Sequence, residues 1–261
     1  MEFPEKIKVL ISEEDYHIDQ IGMSRATVIM LRDKVLKIQE ESKEADNEYQ
    51  MMKWLQDKVP VPQILCHEIQ NGKSFLLMSR AKGKMSCEEE LMQNPDKLAE
   101  VLAEGLKMLW QVDISECDIR YDLDRKLEMA RYNVEHDLVD VNSVEPETFG
   151  PNGFRSPAHL LEWLVANRPE EEPVLVHGDY CLPNIFAENG RVSGFIDLGK
   201  TGIADKWQDI ALCYRSLIHN YDGSYGGAVR EGFDAGILFE KLGIEPDWEK
   251  IRYYILMDEL F

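Results

Sequence analysis

One segment, VLVHGDYCLPNIFAENGRVSGFIDLGKTG at residues 174–202, places polar side chains among apolar residues and limits the folds open to this chain. Its three isolated polar positions are Asp179, Asn184 and Asp197. The pattern predicts a polar loop followed by a β-hairpin that turns at Asn189-Gly190. Asp197 would then stand at the end of the hairpin.

The end of this segment, GFIDLGKT at residues 194–201, also satisfies the phosphate-binding pattern G-x-x-x-x-G-K-[ST]. A phosphate-binding loop of that kind needs a compact cradle of backbone N–H groups and a helix that begins at the lysine. Here the intervening residues are bulky and continue a strand, and the next helical pattern begins only near Asp205. We therefore reject the phosphate-loop interpretation and expect Asp197, with Lys200 as a supporting charge, to carry the function.

The order of the three polar residues is typical of phosphoryl transfer. That chemistry needs one carboxylate to orient a hydroxyl and accept its proton, and an amide oxygen with a second carboxylate to hold Mg²⁺. Protein kinases meet this need with H-R-D-x-x-x-x-N followed by D-F-G. This chain has His177-Gly178-Asp179, then Asn184, then Asp197-Leu198-Gly199.

Residues 6–78 show a strand-like pattern with one helix. The apolar runs 27–31 and 35–38 predict a β-hairpin, and the turn formers Asn71-Gly72 predict a second. Between them, EADNEYQMMKWLQDKV has apolar residues at helical spacing and ends before Pro60. A small sheet with one helix is expected.

After Ala81 the pattern becomes helical. Asn94-Pro95 is a typical helix start, and the segments DKWQDIALCYRSLI and PDWEKIRYYILMDELF predict two further helices. Residues 140–157 are rich in turn formers and acidic residues, which predicts a long surface loop. The chain should thus form a β-rich part followed by a larger α-rich part.

A kinase-type site also needs a cation for the α- and β-phosphates, held by a carboxylate on a nearby helix. Lys37 ends a strand pattern, and Glu48 lies on the helix that follows. Either residue alone would be an ordinary solvated charge. With the Asp/Asn/Asp set downstream, we predict that they form this pair.

The charge balance restricts the partners. A formal net charge of −20 argues against a nucleic-acid partner, whose phosphates need clustered cations, and permits a cationic substrate. The five cysteines are scattered without a C-x-x-C pair, which fits a reducing cytoplasm. The sequence has no apolar run of about 20 residues and no secretory signal pattern, so neither a membrane span nor export is expected.

Several segments resemble the aminoglycoside 3′-phosphotransferases, the kanamycin kinases typical of Gram-positive bacteria. These segments are HGDYCLPNIF, GFIDLGKTGIADKWQDIALCYRSL and PDWEKIRYYILMDELF, and the similarity extends along essentially the whole chain through GMSRATV and MMKWL. The H-G-D-x-x-x-x-N pattern is shared with choline, homoserine and macrolide kinases. The G-F-I-D-L-G, D-K-W-x-D-I-A and D-E-L-F segments are more specific.

The resemblance implies an α+β, bilobal, protein-kinase-like fold that binds ATP between its lobes. It places a small β-rich N-lobe at residues 1–78, a hinge linker at 79–81 and a larger α-helical C-lobe at 82–261. Asp179 would be the catalytic aspartate. Asn184 and Asp197 would ligate Mg²⁺.

The same resemblance assigns the nucleotide and drug contacts. The nucleotide contacts would be Met23 and Ser24 beside Gly22 in the phosphate-covering loop, Lys37 paired with Glu48, Ser79 and Ala81 in the hinge, and Lys200. The amino groups of the drug would meet acidic residues of the mid-chain loop and the C-terminus, namely Glu147 or the nearby Glu145, Asp258, Glu259 and the carboxylate of Phe261.

Some positions depart from the family pattern. Val35 stands where relatives often carry a tyrosine that stacks on adenine, so GTP is an alternative to ATP. Lys200 replaces an arginine and lacks its bidentate fork. The alternatives to an aminoglycoside kinase are a metabolite kinase acting on a choline-like hydroxyl substrate and a non-catalytic binding protein of the same fold. A monomer or a weak homodimer is expected.

Overall fold

A five-stranded antiparallel sheet forms the first part of the chain, for which a computed structural model describes residues 2–12, 14–19 and 26–261. The strand order is β1-β2-β3-β5-β4. The strands are β1 His17–Asp19, β2 Thr27–Met30, β3 Lys34–Glu40, β4 Ile64–Gln70 and β5 Lys73–Ser79. The β2–β3 and β4–β5 hairpins confirm the two hairpins predicted from the sequence. Asn71 and Gly72 close the second hairpin with φ angles of 53° and 73°, which a two-residue turn of this type requires.

Two helices accompany this sheet, whereas the sequence predicted one. Helix α1, Glu5–Ile11, was missed, and helix α2, Lys43–Leu55, was predicted. Ile7 and Ile11 of α1 are buried but Val9 is exposed, so the apolar residues of EKIKVLI follow helical spacing. Alternation of the same three residues is also a strand pattern, and seven residues are too few to separate the two periods. The prediction of a single helix beside this sheet is therefore wrong, because the described residues include both α1 and α2.

The rest of the chain consists mainly of helices, with five short strands between them. The helices are α3 Glu89–Met92, α4 Pro95–Trp110, α5 Leu123–Glu135, α6 Pro157–Ala166, α7 Lys206–Asp222, α8 Ile237–Leu242 and α9 Trp248–Asp258. The strands are β6 Lys84–Met85, β7 Pro173–Val176, β8 Ile185–Glu188, β9 Arg191–Phe195 and β10 Gly202–Asp205. The starts of α4, α7 and α9 confirm the helices predicted from the sequence.

Helix α4 is the central helix of this second part. The side chain of Asn94 accepts a hydrogen bond from the N–H of Lys97, as expected for an N-cap, and Pro95 occupies the first turn. Its buried leucines, which include Leu98, Leu102 and Leu106, pack against β7, β9, α7 and α8. Each such side chain stabilises the fold by roughly 2 kcal/mol.

Strand β5 separates two hydrophobic cores. Phe75 and Leu77 pack with α1 and the inner residues of β2 and β3, whereas Leu76 and Met78 join the main core of the molecule. Because side chains of a strand alternate between its faces, one strand serves both cores. Helix α2 contributes Met51 to the main core, so this helix ties the sheet to the helical part.

The segment between α5 and α6 is irregular, as predicted for residues 140–157, except that α6 already begins at Pro157. Phe154 is buried against the ring of Trp163 of α6 and fixes one end of this loop. We refer to residues 139–156 as the mid-chain loop. Among the described residues, no helix is both long and apolar enough to cross a membrane.

Candidate active site

The predicted polar loop lies between β7 and β8. Asp209, in the first turn of α7, fixes the backbone of this loop. The buried carboxylate of Asp209 accepts hydrogen bonds from the N–H groups of His177 (2.6 Å) and Gly178 (2.9 Å). Burial raises the pKa of Asp209 to about 6, against the opposing effect of His177 and these N–H groups. Asp209 therefore holds the loop by accepting hydrogen bonds from the backbone of the loop.

Gly178 occupies a position that no side chain could share. Its φ is +86°, and a Cβ atom built there would lie 2.0 Å from the backbone oxygen of Lys200. This close approach explains why glycine stands where the protein-kinase pattern has arginine.

The His177 ring positions Asp179. Its Nε2 lies 2.8 Å from the backbone oxygen of Ile196, which can only accept, so Nε2 carries the proton. Its Nδ1 then accepts the N–H of Asp179 at 3.3 Å. The ring thus connects the polar loop to the end of β9.

Asp179 and Asn184 are joined directly. The amide nitrogen of Asn184 donates to the backbone oxygen of Asp179 (3.0 Å) and to its carboxylate Oδ2 (3.1 Å). With its nitrogen so engaged, the amide oxygen of Asn184 has no donor among the described residues. The side chain is buried beside the half-buried Asp179. The structure therefore brings these two predicted residues together and leaves one amide oxygen free.

Asp197 lies between β9 and a short 3₁₀ turn at Leu198–Lys200, in the left-handed conformation with φ 59°. Its Oδ1 lies 2.5 Å from Nζ of Lys37, while no described residue donates to Oδ2. The side chain is 42% exposed. The free oxygens of Asp197 and Asn184 are the ligand type that Mg²⁺ prefers, and Mg²⁺ usually takes only one or two protein ligands beside water and phosphate. This donor set fits the ion.

Lys37 and Glu48 form the predicted ion pair. Their atoms Nζ and Oε1 are 2.9 Å apart, Glu48 is 2% exposed, and Gln39 donates to the second carboxylate oxygen. Burial acts to lower the pKa of Lys37, but the carboxylates of Glu48 and Asp197 outweigh it and hold this pKa above its ordinary value. Lys37 is therefore a charged group that links the sheet to the second part of the chain.

The geometry of residues 194–201 excludes a phosphate-binding loop. Strand β9 ends at Phe195, and the next helix begins only at Lys206. The Thr201 hydroxyl, which would bind metal in such a loop, is buried and donates to the backbone oxygen of His177 at 2.8 Å. Asn47 of α2 donates to the backbone oxygens of Gly199 (2.8 Å) and Thr201 (3.0 Å). The segment is a structural junction that presents Asp197.

The predicted hinge has only part of its backbone free. The N–H of Ser79 donates to the oxygen of Gln63 (2.9 Å), and the N–H of Arg80 donates to the oxygen of Asp33 (3.2 Å). No acceptor in the described part of the chain takes the N–H of Ala81. The predicted phosphate-covering residues Gly22, Met23 and Ser24 lie outside the described residues.

The acidic C-terminus is paired with a cation that the sequence did not single out. Arg215 of α7 donates to Asp258 and, at 3.3 Å, to Oε1 of Glu259. Burial acts to raise the pKa of Asp258, but Arg215 and Lys200 outweigh it and lower that pKa. Burial raises the pKa of Glu259 to about 7. The pKa values of the two neighbouring carboxylates are therefore shifted in opposite directions.

The mid-chain loop brings its acidic residues to the same region. Oε1 of Glu145 lies 2.6 Å from Nε2 of His219, and Glu147 is exposed. The ring of Phe261 lies 5.6 Å from Nζ of Lys126. All predicted drug contacts thus lie on the mid-chain loop, on α9 or at the chain end.

Two lysines of this region are without a close carboxylate. Within the described part of the chain, no acidic oxygen lies within 4 Å of the ammonium group of Lys126 or Lys200. Burial lowers the pKa of Lys126 to about 8. The pKa of Lys200 is raised, because Asp258 and Asp179 outweigh the effect of burial. Of these residues only Lys200 was predicted.

Sequence reasoning thus missed Asp209, Arg215 and Lys126. The first two are charged residues inside the apolar run DKWQDIALCYRSL, and this was the available signal. A charged side chain in a buried helix face needs a partner, but the pattern does not tell which one.

Comparison with known proteins identifies the family of the chain. A model of the phosphotransferase enzyme family matches residues 22–254. An aminoglycoside 3′-phosphotransferase of Enterococcus faecalis is 40% identical over 271 residues, covering 100% of this chain and 99% of the relative. One of Staphylococcus aureus is 39% identical, with 100% and 99% covered. The chain belongs to the aminoglycoside 3′-phosphotransferase family.

Solved structures of this superfamily have the same fold. Aminoglycoside phosphotransferase APH(3″)-Id of Streptomyces rimosus superposes with a TM-score of 0.81 at 22% identity, covering 97% of this chain and 95% of that one. An aminoglycoside 3′-phosphotransferase of type VIII gives a TM-score of 0.75 at 23% identity, with 98% and 97% covered. The predicted family and the bilobal, protein-kinase-like α+β fold are confirmed.

Proposed function

We propose that this enzyme transfers the γ-phosphoryl group of ATP to the 3′-hydroxyl of aminoglycosides of the kanamycin and neomycin class and thereby inactivates them. The observation that carries this proposal is the assembly of Lys37, Asp179, Asn184 and Asp197. Lys37 contacts Asp197, Asn184 contacts Asp179, and the N–H of Ile196, next to Asp197, donates to the backbone oxygen of Asn184 at 3.1 Å. Relatives that cover the whole chain are named for the same activity. A related phosphotransferase has been solved with ADP and streptomycin.

Asp179 is the group that orients and deprotonates the hydroxyl. Asn184 fixes its Oδ2, so Oδ1 is left to accept a hydrogen bond from the substrate. Proton transfer needs a donor and an acceptor within hydrogen-bond reach, and the fixed orientation of Asp179 favours such a geometry.

Asn184 and Asp197 would hold Mg²⁺, which neutralises the charge that develops on the phosphates. Lys37 would bind the α- and β-phosphates and at the same time give up its contact with Asp197. Glu48, which is buried and shared with Gln39, would keep the lysine in place during this exchange.

The free N–H of Ala81 is the group we assign to the adenine edge, because the N–H groups of Ser79 and Arg80 are already bonded. For the drug, Asp258, Glu145 and the exposed Glu147 each keep a carboxylate oxygen to which no described residue donates. Charge-assisted hydrogen bonds from ammonium groups to such carboxylates are roughly twice as strong as neutral ones.

The test is an assay of ADP release with the purified enzyme, Mg²⁺ and ATP. Kanamycin and neomycin should be phosphorylated, whereas tobramycin, which lacks the 3′-hydroxyl, and choline should not. Turnover of choline in place of the drugs would support a metabolite kinase, and turnover of tobramycin would contradict transfer to the 3′ position.

The variant Asp179→Asn tests the mechanism. Asn can still hydrogen-bond Asn184 but cannot accept the proton, so kcat should fall by a factor on the order of 10³ while the Kd for ADP stays within about threefold. Asp118→Asn, which alters an exposed carboxylate between α4 and α5, is the matched control. Near-normal turnover of Asp179→Asn would exclude the proposed role.

A further inference from the structure

One aromatic side chain between α7 and α8 is exposed and yet fixed in place. Tyr225 is 52% exposed, and its N–H donates to the backbone oxygen of His219 at 3.3 Å. Its ring packs against the ring of His219, with the two centroids 5.1 Å apart and the planes at 63°. Single exposed apolar side chains are ordinary, but an aromatic ring held at its backbone and by a neighbouring ring presents a defined surface.

The segment that carries Tyr225, residues 223–236, is held against the end of α7 although it is rich in glycine. The N–H of Arg230 donates to the backbone oxygen of Tyr221 at 2.8 Å. Phe233 stacks on the ring of Tyr221, with centroids 3.6 Å apart and planes at 13°. These contacts place the segment, and Tyr225 with it, at a set position beside α7.

His219 joins Tyr225 to the predicted drug contacts. The Nε2 atom of His219 lies 2.6 Å from Oε1 of Glu145, an acidic residue of the mid-chain loop. The side chains of His219 and Glu145 are 15% and 30% exposed, so Tyr225 is the most exposed of the three. The tyrosine ring is therefore one histidine away from a carboxylate that we assign to the amino groups of the drug.

The charges that act on the hydroxyl of Tyr225 agree with this place. Burial raises the pKa of the hydroxyl, Arg215 opposes the rise, and Glu145 and Asp258 add to it. Tyr225 in turn helps to raise the pKa of Arg215. Charges this distant in sequence influence the hydroxyl because the fold brings them near it.

An aromatic face beside carboxylates matches the chemistry of an amino sugar. Such a ring is saturated, so it has an apolar C–H face, and its ammonium groups project from its edge. Carboxylates bind the ammonium groups through charge-assisted hydrogen bonds. The negative face of an aromatic ring attracts ammonium groups and covers the C–H face, which a carboxylate cannot do.

We propose that Tyr225 contacts the substrate: one amino-sugar ring of the aminoglycoside lies against the exposed face of the tyrosine ring, beside Glu145. The contact contributes affinity and fixes the orientation of the drug, and it takes no part in proton or phosphoryl transfer. The inference rests on the proposed function, since it concerns the substrate of the same site.

The experiment compares Tyr225→Leu with Tyr225→Phe. Leucine keeps an apolar contact with His219 but has no aromatic face, whereas phenylalanine keeps the face and loses only the hydroxyl. We expect Tyr225→Leu to raise the KM for kanamycin, and its Kd measured by calorimetry without ATP, about tenfold. The kcat should stay within about threefold, the KM for ATP should not change, and Tyr225→Phe should keep all constants within about twofold.

Tyr132→Leu is the matched control. Tyr132 of α5 is 56% exposed and stacks on His136, with centroids 4.0 Å apart, so it is the same residue type on the same kind of neighbour. Its replacement should change neither the Kd nor the KM for kanamycin. An equal effect of Tyr132→Leu and Tyr225→Leu would contradict a specific contact at Tyr225.

A double-mutant cycle with Glu145→Gln separates direct contact from an effect that passes through His219. If Tyr225 only placed the charge of Glu145, Tyr225→Leu would have no further effect once that charge is gone, and the proposal would be overturned. If the ring contacts the drug, Tyr225→Leu should still raise the Kd about tenfold in the Glu145→Gln enzyme.

Two further results would overturn the proposal. One is an unchanged Kd in Tyr225→Leu, and the other is a Kd in Tyr225→Phe as high as in Tyr225→Leu, which would assign the contact to the hydroxyl. If Tyr225→Leu does not fold, as judged by urea unfolding, Tyr225→Met takes its place, since methionine is also apolar and has no aromatic face.

Calorimetry also separates this inference from the proposed function, because binding is measured without turnover. An enzyme that phosphorylates no aminoglycoside would refute the function. A Kd for kanamycin that is equal in Tyr225→Leu and in the original enzyme would refute only the contact with Tyr225.

Discussion

Asp197 and Lys200 are three residues apart in GFIDLGKT, yet their surroundings differ. The carboxylate of Asp197 is 42% exposed, with one oxygen on Lys37 and one to which no described residue donates. The backbone oxygen of Lys200 packs against Gly178, and its ammonium group lies where Asp258 and Asp179 influence its pKa. We therefore expect the first residue to bind the metal ion, as proposed above, and the second to affect only the charge of the site.

These surroundings predict unequal effects of mutation. Asp197→Ala should reduce kcat by a factor on the order of 10³ at saturating Mg²⁺, because the site loses a metal ligand. Lys200→Ala should reduce kcat/KM by about tenfold or less, because it removes a charge without a close partner. Both are measured by ADP release with kanamycin. The reverse order of effects would favour the phosphate-loop interpretation of this segment.

Lys126 gives a prediction for the pH dependence of stability. Burial lowers its pKa to about 8, below the value in an unfolded chain, so the folded protein binds this proton more weakly. The unfolded state then holds more protons between about pH 8 and pH 10.5, and stability rises with pH across that interval. At pH 7 the charged lysine costs at most about 3 kcal/mol.

Lys126→Met, which has similar length and no charge, should therefore be more stable than the original protein at pH 7. The difference in the free energy of unfolding by urea should shrink between pH 7 and pH 9.5. Lys43→Met, on the exposed surface of α2, should show no such change with pH. A difference for Lys126→Met that is constant with pH would contradict the assignment.

At the scale of elements, the hairpins and long helices were predictable because their signals are local. Asn71-Gly72 specifies a two-residue turn, and Asn94-Pro95 specifies a helix start, whatever the rest of the chain does. Helix α1 was missed because seven residues with alternate apolar positions fit two periodicities. Only its packing on the sheet selects the helix.

The order of the candidate site residues along the chain was predictable from the sequence. The residues that hold them in place were not. The spacing from Asp179 to Asn184 is a local pattern, and the structure joins these two side chains. Asp209 bonds the polar loop across 31 and 32 residues of sequence. Arg215 meets Glu259 across 44 residues. Such pairs depend on how the helices pack against the rest of the molecule, and local sequence patterns do not predict this packing.

Helix α2 connects the sheet to residues 197–201 through Asn47. This buried amide donates to the backbone oxygens of Gly199 and Thr201, and the next residue, Glu48, holds Lys37. Asn47→Ala leaves both oxygens without this donor and should lower the free energy of unfolding by about 1–3 kcal/mol. It should also raise the KM for ATP, because Glu48 moves with its helix.

The neighbouring exposed Asp46 provides the control for this prediction. Asp46→Ala should leave the KM for ATP and the unfolding midpoint nearly unchanged, since its side chain is exposed to solvent. Urea unfolding and steady-state kinetics measure both quantities. Equal effects of the two substitutions would show that the link through Asn47 is not what positions Glu48.

At the scale of the whole molecule, the acidic excess and the cationic substrate belong together. The 49 acidic residues outnumber the 29 lysines and arginines, which gives the net charge of −20. Locally, Arg215 pairs with Asp258, and the charges of Arg215, Lys200 and Lys126 all act to lower the pKa of that residue. The general field attracts a polyamine, while a few open carboxylates select its position.

The last prediction concerns ionic strength. Salt screens charges over a distance of about 10 Å at 0.1 M, so attraction of a polycation by a negatively charged protein weakens as salt is added. Between 20 and 300 mM KCl, kcat/KM for kanamycin should fall by a factor on the order of ten. For ATP with Mg²⁺, an anion that the same field repels, kcat/KM should stay constant or rise. Each is measured with the other substrate saturating, in one salt series. If kcat/KM declines equally for both substrates, salt acts on the enzyme itself. If kcat/KM for kanamycin does not change with salt, local contacts account for recognition and the field of the whole molecule does not.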